Sequence, residues 1–185
     1  MIIETIVSTI NLNGEVNFSP FGIIKKKNNI FISPYIPSKT LLNLESSKRA
    51  VINYTDNSSF FVDCIIGNKN FKKRKCLNFD GYFLEGCSSY DEVIVKKIIK
   101  DKIRPTFQCR ILKTINLKKY EGHNRAKSAI IEACILASRV KLLEKKKILK
   151  ELDYLKIAVH KTAGLIEKKS WSKIWKYIND KVEEK

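Results

Sequence analysis

Gly14-Glu15-Val16-Asn17-Phe18-Ser19-Pro20-Phe21-Gly22, Ser38-Lys39-Thr40-Leu41-Leu42-Asn43-Leu44 and Ala50-Val51-Ile52-Asn53-Tyr54 alternate polar anchors with apolar strand residues near the start of a 185-residue chain. The middle stretch weighs most. Ser38 is placed to N-cap a short helix running on through Glu45, which puts Lys39 and Thr40 in its first turn. Hydroxyls, a cation and free main-chain N–H groups within three residues suit a phosphate dianion, and the helix dipole favours the same charge. The competing reading is a capped helix whose hydroxyls satisfy only its own N-terminus. Asn43 falls on the helical face of Thr40 and either adds a neutral hydrogen bond to a ligand or ties down a loop.

In the first stretch, Asn17-Phe18-Ser19-Pro20 interrupts a strand with residues suited to presenting main-chain amides and carbonyls, because Pro20 has no N–H for a ladder bond. Flat heteroaromatic rings are recognised by such edges; the alternative is an ordinary hairpin with Gly14 in its turn and Pro20 at a strand edge. Asn53 stands in an apolar run, where a buried amide must find partners. It is either a structural tether or a ligand contact.

Around these stretches the first two-thirds of the chain reads as β. Segments 2–11, 21–25, 30–35, 49–54, 60–66, 92–99 and 107–115 are short, rich in Ile, Val, Phe and Tyr, and separated by Gly, Asn, Asp, Pro or Lys clusters. Irregular turns between short strands favour an antiparallel barrel or sandwich over βαβ repeats. After Asn116 the period changes. Ala126, Ile130, Ala133, Cys134 and Ala137 recur at helical spacing between Asn124 and Leu143. A second helix is expected over 145–163 with Gly164 near its C-terminal end, and a third over 171–182 capped by Ser170, with Trp171, Trp175 and Ile178 aligned. The fold class is therefore mainly β with an α extension: a β domain over 1–115 and a helical extension over 116–185.

The net charge is +17, but 30 of the 36 basic residues are lysine and only six arginine. With the abundance of Ile and Asn, that is the pattern of AT-rich coding bias, and Arg-poor surfaces argue against specific nucleic-acid recognition. Lysine runs at 25–27, 72–75 and 145–147 read as solvated loops or helix faces. The five cysteines are odd in number and form no Cys-x-x-Cys pair, which disfavours disulfides and zinc and leaves reduced core thiols. His123 and His160 are isolated, so no metal site is expected. No apolar run approaches a membrane span and no basic leader opens the chain at Met1-Ile2-Ile3-Glu4, so a soluble cytoplasmic protein is expected.

The order of these pieces resembles the FMN-binding split barrels related to flavin reductases, and within them an uncharacterised branch with a C-terminal helical extension. The resemblance also takes in Phe107-Gln108-Cys109-Arg110 and the helix entry from His123 to Ala133, and so covers most of the chain. It implies a homodimer of six-stranded Greek-key barrels with FMN at the subunit interface, its phosphate near Ser38, Lys39 and Thr40. The isoalloxazine would lie against the main chain of Asn17, Phe18, Ser19 and Pro20, with Asn43 and Asn53 as further cofactor contacts. The function implied is a flavin-dependent oxidoreductase of flavin-reductase type, its electron donor unspecified because no Gly-x-Gly-x-x-Gly fingerprint is present. Deazaflavin in place of FMN stays open, since relatives on this fold use several cofactors. Two alternatives stand beside it: a non-catalytic flavin carrier or sensor, and a basic nucleic-acid-binding β-barrel using Tyr35, Tyr54 and Phe60. Arg125, Glu132 and Arg139, seven apart, form a charged stripe of surface ion pairs that helps the extension dock, or else Arg125 or His123 stands at the flavin or substrate mouth.

Overall fold

The structure is a computed structural model that describes residues 1–77 and 79–184. Its chain divides into two compact units, Met1–Thr55 with Lys69–Tyr120, and Asp56–Asn68 with Glu121–Lys185. Lys185, the end of the expected helical extension, lies outside the described residues.

In the first unit β1 (Ile2–Ile10), β2 (Val16–Lys26), β3 (Asn29–Ile32), β4 (Arg49–Tyr54), β7 (Ser89–Ile99) and β8 (Thr106–Asn116) close a six-stranded barrel in the order β1-β2-β3-β8-β7-β4. Every pairing is antiparallel. The turn from β2 to β3 is the two-residue loop Lys27-Asn28, with Lys27 at φ 51°, as tight hairpins require. Period-2 alternation sends Val7, Ile23, Ile30, Ile32, Ala50, Ile52, Val93, Phe107 and Cys109 into one apolar core.

Helix α1 (Lys39–Ser47) fills the connection from β3 to β4. Leu41 and Leu44, three apart on one face, enter the barrel core, so the helix is pinned and its first turn is fixed against the sheet. The left-handed Lys48, φ 56°, ends it and turns the chain into β4. A small hairpin, β5 (Lys73–Lys75) with β6 (Tyr82–Leu84), follows later in the unit. It is absent from the sequence reading because the Lys72–Lys75 run carries no alternation of apolar residues.

The second unit is helical: α2 (Ser58–Ile65), α3 (Arg125–Ser138), α4 (Lys145–Thr162) and α5 (Leu165–Glu183). The segment 60–66, expected as a strand, belongs to α2 instead. A short apolar run does not reveal its period, and the deciding signal is local: Asn57 accepts from Ser59 N–H through its side chain and caps a helix. In α3, Ala126, Ala129, Ala133 and Ala137 are buried, small residues that let α2, α4 and α5 pack closely on it. The third expected helix begins earlier than read. Ser170 is buried inside α5, and Gly164 is its N-cap, with Gly164 N–H donating to Glu167 Oε2 at 3.1 Å.

All five cysteines are buried, and none forms a disulfide among the described residues. Burial pushes the Cys109 and Cys134 thiols up to about 12, so they stay protonated core residues.

Candidate functional site

The first turn of α1 and strand β2 meet through one side chain. Asn17 Nδ2 donates to Thr40 Oγ1 at 3.1 Å and to Ser19 Oγ at 3.3 Å, which uses both of its protons. Ser38, the N-cap, is extended and accepts from Leu41 N–H at 3.2 Å. Lys69 Nζ donates to Ser19 Oγ at 3.4 Å. A continuous hydrogen-bonded path therefore runs from Lys69 through Ser19 and Asn17 to Thr40.

An open cleft of about 650 Å³ lies along this path, and Asn17, Lys39, Asn43 and Lys69 contribute to its wall. Leu12 and Leu42, both strongly exposed, form its apolar part. Of the internal bonds here, Ser19 and Thr40 make theirs as acceptors; Thr40 is buried, and both stand behind the cleft wall and hold Asn17 and Lys69, which line it. Lys39 has no ion-pair partner among the described residues. The Glu15 carboxylate also lines the cleft and accepts from Asn11 Nδ2 at 2.7 Å. What remains around the α1 N-terminus is a surplus of donors and positive charge, the condition for holding an anion.

The other candidate residues are placed differently. Phe18 is buried, edge-on to Phe71 with centroids 5.5 Å apart, and offers a ligand only its main chain. Pro20 sits within β2 opposite Ile6, where the strand is paired on one side only; β3 joins β2 from Ile24 onward. That open edge at residues 16–23 is why a proline is tolerated in mid-strand. Asn43 lines the cleft and donates to Thr9 Oγ1 at 3.0 Å. Asn53 is apart from them. Fully buried, it donates to Ile6 O at 2.8 Å and to Ser8 Oγ at 3.1 Å, and accepts from Leu84 N–H at 2.7 Å. Those bonds tie β1, β4 and β6 together, which is the work of a tether.

A second polar cluster lies in the same barrel. Asp91 on β7 is fully buried and accepts from Lys25 Nζ at 2.8 Å, Tyr54 OH at 2.7 Å and Thr114 Oγ1 at 2.5 Å. The lysine run at 25–27 is thus not wholly solvated, because Lys25 compensates a buried carboxylate. Burial, then the Asp91 bond, holds the Tyr54 phenol well above its usual range.

Tyr54 is therefore committed to Asp91 and Phe60 belongs to α2, so of the aromatics considered for stacking on bases only Tyr35 is well exposed. Arg125, Glu132 and Arg139 are exposed, and no ion pair joins them among the described residues; a seven-residue step is too long for side chains that meet at three or four. Nor do the described residues contain a His, Cys, Asp and Glu grouping able to hold a metal.

Residues 3–118 match the family described as protein of unknown function (DUF447), N-terminal domain, and residues 124–176 match its companion, protein of unknown function (DUF447). The chain belongs to the DUF447 family. An FMN-bound DUF447 protein from Methanosarcina mazei is similar over 95% of this chain and 94% of its own, with a TM-score of 0.80 and 22% identity. The flavoredoxin of Methanosarcina acetivorans matches 64% of this chain and 70% of its own at TM-score 0.55 and 11% identity. The styrene monooxygenase flavin reductase of Pseudomonas putida matches 62% and 81% at TM-score 0.52 and 12% identity. These likenesses make the barrel of this DUF447 chain an FMN-binding-type split barrel in fold. No curated protein matches the chain. Among the described residues no helix is long and apolar enough to cross a membrane.

Lys69 is a residue of this cleft that the sequence alone does not single out. It lies in the polar stretch Gly67-Asn68-Lys69-Asn70, far along the chain from Lys39, and only the fold brings the two to one cleft.

Proposed function

We propose that this DUF447 chain binds FMN and serves as a flavin-dependent oxidoreductase of flavin-reductase type. The observation that carries the reading is the Lys39 ammonium at the α1 N-terminus, unpaired with any carboxylate among the described residues, on a cleft that Asn17, Asn43 and Lys69 also line. The FMN-bound relative from Methanosarcina mazei and the flavin-handling neighbours support it. The residues fit the cofactor in kind: a cationic, donor-rich end for the phosphate, and beside it the unpaired edge of β2 for the polar rim of a flat ring. When bound, the flavin supplies the hydride and electron chemistry.

The chain's own work is then to bind and orient. Lys39 and the first-turn N–H groups neutralise the phosphate, Asn17 fixes the hydroxyls of Ser19 and Thr40, and the main chain of residues 17–20 offers hydrogen bonds to the ring. Leu12 and Leu42 give the cleft wall an apolar surface for a ligand to cover. Two barrels paired in a homodimer, with the cofactor between them, would complete the site.

The test is the visible absorption of the purified protein, with the released chromophore identified by mass spectrometry, followed by anaerobic addition of NADH or NADPH. A flavin band from FMN that bleaches on addition supports the whole reading. FMN that stays oxidised with either nucleotide overturns the reductase half and leaves a carrier or sensor. A colourless protein that takes up no added FMN overturns both.

A further inference from the structure

We propose that Lys69 is a second cationic arm of the phosphate anchor and that, with Lys39, it makes the cleft selective for a dianionic phosphomonoester. The inference rests on the flavin reading above and goes beyond it by naming what sets ligand charge. Lys39 comes from α1 and Lys69 from the chain that follows α2, yet both line one cleft. Lys69 Nζ is steered by Ser19 Oγ, 3.4 Å away, and Ser19 is itself held by Asn17 Nδ2. That single bond leaves Lys69 two of its three protons. Among the described residues neither lysine is paired with a carboxylate, and Glu15, the acid on the cleft, is engaged by Asn11.

A single ammonium group at a helix N-terminus already suits a monoanion. A second one in the same cleft rewards the second charge of a phosphomonoester, which is gained near pH 6. Riboflavin, with no phosphate, gains from neither lysine.

The test is fluorescence titration of FMN and riboflavin against the wild-type chain, Lys69→Met, Lys69→Arg and Lys39→Ala, between pH 5 and 8. Loss of one charge-assisted contact predicts FMN affinity about tenfold lower in Lys69→Met, with riboflavin unchanged. Wild-type affinity for FMN should climb as the phosphate loses its second proton. Lys69→Met should flatten that climb and Lys69→Arg should keep it. Equal weakening of FMN and riboflavin, or wild-type FMN affinity in Lys69→Met while Lys39→Ala remains weak, overturns the role of Lys69 and leaves the flavin reading standing. Failure of the wild-type chain itself to bind FMN overturns both.

Discussion

Two polar clusters sit in one barrel and differ in what they leave over. Around Asp91, three donors converge on one fully buried carboxylate, and its charge is answered by Lys25. Around Asn17, the internal bonds end on hydroxyl oxygens, and two ammonium groups, of Lys39 and Lys69, line a cleft with no carboxylate paired to them among the described residues. The first cluster is closed and joins β2, β4, β7 and β8 within the barrel. The second is open and has the unbalanced charge of a binding site. Buried polarity by itself therefore does not mark function; polarity that the protein has not balanced does.

That difference can be broken at either end. The largest effect is expected from Asp91→Ala, which strands the Lys25 ammonium and two hydroxyls and should cost about 4 kcal/mol of stability in urea unfolding. The ratio of FMN to riboflavin affinity in the folded protein should stay as in the wild type. Asn53→Ala is expected next, at about 2 kcal/mol, because the buried Leu84 N–H loses its acceptor; again the ligand ratio should not move. Lys39→Ala should do the opposite, weakening FMN by about 2 kcal/mol while changing unfolding free energy by less than about 0.5 kcal/mol. A stability loss without a ligand effect there would erase the distinction between the clusters.

The smallest effect sharpens the closed cluster. Tyr54 is held neutral by burial and by its bond to Asp91, whereas an unfolded tyrosine ionises near pH 10. Its contribution is fully present below that pH and is lost as pH rises above it, because only the unfolded chain releases the proton there. Tyr54→Phe should cost about 1 kcal/mol at neutral pH and show a shallower alkaline loss than the wild type in unfolding midpoints measured from pH 8 to 11.

Three residues of the proposed site's cleft, Asn17, Lys39 and Asn43, stood out in the sequence, whereas the closed cluster did not. Ser38 and Thr40 around Lys39 form a local pattern, since a cap, a first turn and a cation lie within three residues, and the helix forms where the cap places it. Asn17 was legible as part of a stretch that interrupts a strand, although its role as a bridge needed the fold. Lys25 and Asp91 are 66 residues apart and their strands are not neighbours in the barrel, so no spacing announces them. Lys25 was hidden inside a run that reads as solvated surface. The strands of the barrel followed from alternation and turn residues, while α2 reads as a strand because the short segment 60–66, apolar but for Asp63, carries too few residues to show a period. Asn53 left two readings open in the sequence, and its three buried partners show what its amide holds together in the fold.

The most direct test is the ratio of FMN to riboflavin affinity in the wild-type chain at pH 7.5 and low ionic strength. If the donor surplus beside α1 is a phosphate anchor, FMN binds at least about tenfold more tightly, and added salt narrows the gap. Equal affinity for the two flavins would contradict the account, because a ligand that gains nothing from its phosphate is not held by this cleft.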